Sequence, residues 1–242
     1  YGEKLDTLRR AASDLPVTGF PVWCFNDFVE EYGVDYPDLS LSALEQFTRL
    51  ASSEFAVRPF INRYPELMAA QMLDWAVSDD PAVRRLASEG YRPRQPWGMG
   101  IPAVKRDPAP VLAVLDLLRN DPDEVVRRSV ANNLNDISKD HPDLVVSVLS
   151  RWAESTPGSL RKHALRTLLK QGHAGAMELL GFAQDLAVTV EEMAVLPPVG
   201  QIGEGVHVEF RVRSEAEYLD FECHDRLEPD EALRRINAVL PG

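Results

Sequence analysis

An all-α fold, a helical-repeat solenoid with a small β-containing C-terminal appendage, is predicted by three features of the 242-residue sequence. First, Val-Arg-Arg follows an Asp-Pro twice, as Val83-Arg84-Arg85 after Asp80-Pro81 and as Val126-Arg127-Arg128 after Asp121-Pro122. Second, related strings occur at Ser159-Leu160-Arg161-Lys162-His163-Ala164-Leu165 and, more loosely, at Glu54-Phe55-Ala56-Val57-Arg58-Pro59. The apolar anchors Val57, Val83, Val126 and Leu160 are unevenly spaced but close to the period of helical-pair repeats. Third, helical periodicity runs from Ser52 to Gln171, punctuated by turns such as Tyr64-Pro65, Pro96-Trp97-Gly98, Asp107-Pro108, His141-Pro142 and Pro157-Gly158.

Taken in order, Tyr1 to Leu15 reads as a short charged helix. Phe20-Pro21-Val22-Trp23-Cys24-Phe25-Asn26-Asp27-Phe28-Val29 is the most aromatic segment, and on a helix it packs an apolar stripe at the end of the solenoid. Ser40 looks like a helix start, because Leu41, Leu44, Phe47 and Leu50 follow at helical spacing. Asp79 and Asp121 are expected as N-caps, with Pro81 and Pro122 in the first turn, where a missing N–H costs nothing. After Gly181, Leu186–Val190 and Val206–Val212 alternate like half-buried strands, and Asp230–Leu240 reads as a capped helix. The expected domains are 1–182 for the repeats and 183–242 for an acidic C-terminal segment.

No apolar run reaches the roughly 18 residues of a membrane span, and the start lacks a basic-then-apolar signal pattern. A cytoplasmic monomer is therefore expected. Cys24 and Cys223 share no metal-type spacing and the five histidines are scattered, so neither metal nor cofactor is expected. The net charge of −12 argues at first against a nucleic-acid partner. Its distribution reverses that inference: residues 54–170 carry 17 basic and 15 acidic side chains, between flanks carrying 4 and 9, and 5 and 14.

Phasing the repeat helices places the chemistry. If Val126, Val130, Leu134 and Ile137 form the core stripe, Arg128, Asn132 and Asp136 share another face. The equivalent face carries Arg85 and Glu89 in the preceding unit, Lys162, Arg166 and Lys170 in the following one, and Glu54 and Arg58 in the earliest. Stacked repeats align such faces into one wall, here mixing cations with three carboxylates. Beside it, the loop Arg92-Pro93-Arg94-Gln95-Pro96-Trp97 is stiffened by its prolines. Held there, Arg92 and Arg94 reach phosphates and Trp97 lies against a sugar or base. Equally, arginines at a helix end often only face water, and the alternative role for Trp97 is to cover the core.

The strings Ser53–Phe60, Val83–Trp97, Val126–Ile137 and Lys162–Leu168, together with the Trp23-Cys24-Phe25 helix, resemble the AlkC branch of the AlkC/AlkD-like HEAT-repeat alkylpurine DNA glycosylases. The resemblance spans roughly Phe20 to Leu180. It implies a HEAT-like solenoid and a monofunctional enzyme that removes N3-alkylated bases, 3-methyladenine and 3-methylcytosine, from double-stranded DNA without base flipping. It also implies that Glu54, Glu89, Asp136 and Trp97 form the catalytic site. Backbone contacts are then expected from Arg58, Arg85, Arg92, Arg94, Arg128, Lys162, Arg166 and Lys170. Fuller members have further helices before the Phe20 region, and some end in an immunoglobulin-like domain, of which residues 183–242 would supply only part. Two other readings remain open: a non-catalytic HEAT-repeat module for branched or damaged DNA, and a protein-binding solenoid.

Overall fold

The computed structural model describes residues 1–14, 18–153, 155–182, 189–195 and 208–213. They fall into two compact units, Tyr1–Leu180 and Gly181–Gly242. The first unit is a helical-repeat solenoid. Its helices are α1 (Gly2–Asp14), α2 (Trp23–Tyr32), α3 (Pro37–Phe47), α4 (Arg58–Arg63), α5 (Pro65–Ala76), α6 (Pro81–Glu89), α7 (Pro102–Arg106), α8 (Ala109–Leu118), α9 (Glu124–Ile137), α10 (Pro142–Arg151), α11 (Gly158–Lys170) and α12 (Ala174–Leu179). One row stacks α6 on α9 and α9 on α11, while α5 packs against both α6 and α8. The stripe Val126, Val130, Leu134 and Ile137 is buried as phased. Continuous with it are Val83 and Leu86 of α6, Val114 and Leu118 of α8, and Leu160, Leu165 and Leu168 of α11.

The two arginines of each Val-Arg-Arg string do different work. The first folds back onto the preceding turn: Arg84 Nη1 donates to the carbonyls of Ser78 and Asp79, and Arg127 Nη1 to those of Asp121 and Pro122. These bonds satisfy carbonyls that the turn would otherwise leave without partners. The second arginine makes no such bond: Arg85 meets Ser52 and Glu54 of the preceding unit, and Arg128 meets Glu124 of its own helix.

Three helix starts differ from the sequence expectation. α3 begins at Pro37, not Ser40, because proline suits the first helical position. The cap of α6 is Asp80, whose carboxylate accepts from the Ala82 N–H at 2.8 Å, rather than Asp79. The cap of α9 is Asp123, which accepts from the Val125 N–H at 2.7 Å, so Asp121 and Pro122 both precede the helix. Asp121 instead receives Arg84 from the neighbouring repeat and the Asp123 N–H.

In the second unit, β1 (Thr189–Val195) and β2 (Val208–Arg213) pair antiparallel, Val190 opposite Val212 and Val195 opposite Val208, with an irregularity between Val190 and Glu192. The first strand thus extends past Val190, where the alternation had ended. Residues 186–188 and 206–207 of the expected strands, Cys223 and the expected helix Asp230–Leu240 lie outside the described residues. Among the described residues, no helix is long and apolar enough to cross a membrane.

Candidate active site

Three repeats deliver one carboxylate each. Glu54 lies in the turn before α4, Glu89 is the last residue of α6, and Asp136 is the penultimate residue of α9. A helix end suits such groups, since the chain turns away and leaves room for a partner. Glu54 accepts from Ser52 Oγ at 2.8 Å and Arg85 Nη1 at 2.9 Å on one oxygen, and from Gln95 Nε2 at 2.8 Å on the other. Glu89 accepts from Ser129 Oγ at 2.6 Å and from Arg92 Nη1. Asp136 accepts from Arg92 Nε at 2.8 Å and Lys139 Nζ at 3.0 Å. Glu89 and Asp136 are buried, and Glu54 keeps more contact with solvent.

The loop between α6 and α7 ties these groups together. Arg92 bridges Glu89 and Asp136, Gln95 reaches Glu54, and Trp97 stands 99 % exposed at the loop's tip. Trp97 has a positive φ of 61°, a left-handed conformation that costs a non-glycine residue energy. Gly98 follows because the backbone passes close to its support: a Cβ there would come within 3.1 Å of Gln95 and 3.2 Å of Phe55 and Arg58. Phe55 in turn meets Trp23 edge-on at 5.8 Å, which is how the aromatic α2 supports this loop.

Two of the expected phosphate contacts are placed otherwise. Arg58 is fully buried, donating from Nη1 to the Gly90 carbonyl at 3.0 Å and from Nε to the Met99 carbonyl. It staples both ends of the Trp97 loop and is not available to a phosphate. Burial, then the nearby Arg92, pushes its guanidinium down to about 10, against the opposing pull of Asp136, Glu54 and Glu89. All three carboxylates are thus electrostatic neighbours of one buried cation. Arg92 is also buried. Desolvation works against its charge, yet Glu89 and Asp136 hold its guanidinium above the usual range.

The remaining cations are more accessible. Arg85 is partly exposed beside Glu54, Arg94 pairs with Asp140, and Arg128 pairs with Glu124 across one helical turn. Lys162, Arg166 and Lys170 lie exposed along α11. A cleft of about 400 Å³ lined by Arg128, Ser159 and His163 opens between α9 and α11. There His163 Nε2 and Arg166 Nη1 both meet Asn132 Oδ1, at 2.8 and 3.2 Å.

The supporting residues Ser129, Gln95 and His163 escaped the sequence reading. A signal for the first existed: Ser88, Ser129 and Asn133 are small or polar residues set between core positions. In the fold Asn133 Nδ2 donates to the Ser88 carbonyl at 2.8 Å and Ser129 reaches Glu89, which joins α6 to α9 by polar bonds. No comparable pattern marked Gln95, whose role depends on the loop's path.

The fold is a helical-repeat solenoid that brings carboxylates from three repeats to one loop, and its likeness to known proteins places it among the DNA-repair solenoids. The family model described as DNA alkylation repair enzyme matches residues 44–168, just over half of the chain. The chain belongs to this AlkC/AlkD-like DNA alkylation repair family. It is similar to the Pseudomonas fluorescens alkylpurine DNA glycosylase AlkC, solved bound to DNA containing an abasic site analog, with a TM-score of 0.70 and 39 % identity, covering 89 % of this chain and 60 % of that one. It is also 44 % identical over 217 residues to the uncharacterized protein YhaZ of Bacillus subtilis strain 168, covering 89 % of this chain and 60 % of that protein. The chain therefore spans about 60 % of the length of these relatives.

Proposed function

We infer that this chain is a monofunctional DNA glycosylase that hydrolyses the N-glycosidic bond of N3-alkylated bases, 3-methyladenine and 3-methylcytosine, in double-stranded DNA. The observation that carries this reading is the grouping of Glu54, Glu89 and Asp136 around the loop that displays Trp97. Alkylation at N3 makes the base cationic and already a good leaving group. As the C1′–N bond breaks, its electron pair passes to the base and neutralises it, and positive charge develops on the deoxyribose. Fixed carboxylates in a low-dielectric setting stabilise that charge. Water then attacks C1′, and its proton passes to Glu89 or Asp136 acting as general base. The likeness to a DNA-bound alkylpurine glycosylase supports the same class of substrate. The partition between buried carboxylates and a fully exposed indole suits engagement of a stacked base at its edge, in contrast with the usual extrusion into a pocket.

A second reading, a non-catalytic module for branched or damaged DNA, is favoured by one observation: each of the three carboxylates is bonded to an arginine. The two separate in one experiment. Duplexes carrying 3-methyladenine, 3-methylcytosine or 7-methylguanine are incubated with excess protein and abasic sites are scored. Release of an N3-methylated base supports the glycosylase. Binding without release from any of the three supports the module.

A further inference from the structure

Arg92 is held between two carboxylates with three nitrogens engaged. Nη1 lies 2.5 Å from Glu89, and Nε and Nη2 each lie 2.8 Å from Asp136 Oδ2. All three residues are buried, with 8, 5 and 2 % of Arg92, Glu89 and Asp136 exposed. We propose that Arg92 is a positioning residue that keeps Glu89 and Asp136 ionised together at a fixed spacing, so that the pair meets a cationic base as two charges. The catalytic half of this rests on the glycosylase reading; the electrostatic half stands on the geometry alone.

Both carboxylates are buried and share one guanidinium, so removing that cation leaves two negative charges in a low-dielectric setting, where the pair is expected to take up a proton. The protonated member would neither stabilise a positive sugar nor accept a proton from water. The other charges facing the pair do not substitute for Arg92. Lys139, in the turn after α9, bonds Asp136 alone, and Arg58 of α4 spends its bonds on the Gly90 and Met99 carbonyls. Glu54, before α4, adds a negative charge but is matched by Arg85 of α6. Arg94 of the loop is matched by Asp140. His163 of α11 faces Asn132, and burial together with Arg166, Arg128 and Arg92 lowers its imidazole's affinity for a proton. Ser129 donates to Glu89 but carries no charge.

The test compares thermal melting of wild type, R92M and R92M/E89Q between pH 7.5 and 5.5. The sign is diagnostic. A buried carboxylate pair that binds a proton more tightly than the unfolded chain gains stability as pH falls. The R92M melting midpoint is therefore expected to rise by roughly 3 °C or more on acidification, whereas the wild-type midpoint stays level or falls. In R92M/E89Q the remaining Asp136 is matched by Lys139, and the rise is expected to vanish. Because melting needs no substrate, this result is independent of whether the protein excises bases. In single-turnover excision, R92M is expected to move the acid limb of the pH profile toward neutrality, with partial rescue in R92K. A melting curve for R92M that parallels wild type, an equal rate loss at every pH, or failure of both R92M and R92M/E89Q to fold would overturn the proposal.

Discussion

Arg84 of α6 grips both oxygens of Asp121, Nε to Oδ2 at 2.6 Å and Nη2 to Oδ1 at 3.0 Å, and so bolts one repeat to the turn that opens the next. The side chains are 14 and 3 % exposed. Removing one partner leaves the other's charge buried, which costs about 3 kcal/mol. Asp121→Asn is therefore expected to lower unfolding free energy by about that amount in urea. It should change neither the chemistry at Glu89 nor the salt dependence of DNA binding. A loss below about 0.5 kcal/mol would mean that this bidentate pair behaves like an ordinary surface ion pair.

Trp97 couples strain to display. A glycine at this position has no Cβ to object to a φ of 61°, so Trp97→Gly is expected to stabilise the fold by about 1 kcal/mol while weakening lesion excision. Urea denaturation and single-turnover kinetics read the two effects separately. Loss of stability together with activity would show that the indole packs against the fold.

Much of the solenoid is legible in the sequence because periodicity and stacking are local rules. The stripe from Val126 to Ile137 fixes the face of α9, and equivalent faces of adjoining repeats then bring Glu54, Glu89 and Asp136 to one region. The caps are less legible. In Ser-Asp-Asp-Pro and Asp-Pro-Asp, several aspartates satisfy the capping preference, and only the path of the following turn selects Asp80 and Asp123. Arg58 and Arg92 are least legible of all. In sequence an arginine reads as surface, and only the three-dimensional convergence of carbonyls and carboxylates makes its burial affordable.

That difference separates the cations. Arg166 is exposed on α11, and Arg166→Gln is expected to reduce the magnitude of the log Kd against log salt slope by about 1. Arg58→Gln should leave the slope unchanged and lower stability, because its bonds hold the loop from Gly90 to Met99. Filter binding with undamaged duplex between 50 and 200 mM salt, roughly the range over which phosphate contacts are strongly titrated, checks both. Equal slopes for wild type and Arg166→Gln would remove Arg166 from the backbone contacts.

His163 makes stability depend on pH. Burial, followed by Arg166, Arg128 and Arg92, holds its imidazole below the ordinary value of 6.5. The unfolded chain therefore binds a proton that the folded chain refuses, so His163 destabilises the fold as pH drops through the unfolded value near 6.5 and below. Unfolding free energy is expected to fall less between pH 7 and 5 in His163→Gln than in wild type. Parallel curves would show that His163 titrates alike in both states.

The most direct test of the central claim is single-turnover release of 3-methyladenine from duplex DNA by Glu89→Gln. Loss of one preorganised carboxylate is expected to slow release by roughly 10²-fold or more, with duplex affinity near that of wild type. Release at the wild-type rate by the folded, DNA-binding variant would contradict the assignment of Glu89 to the reaction.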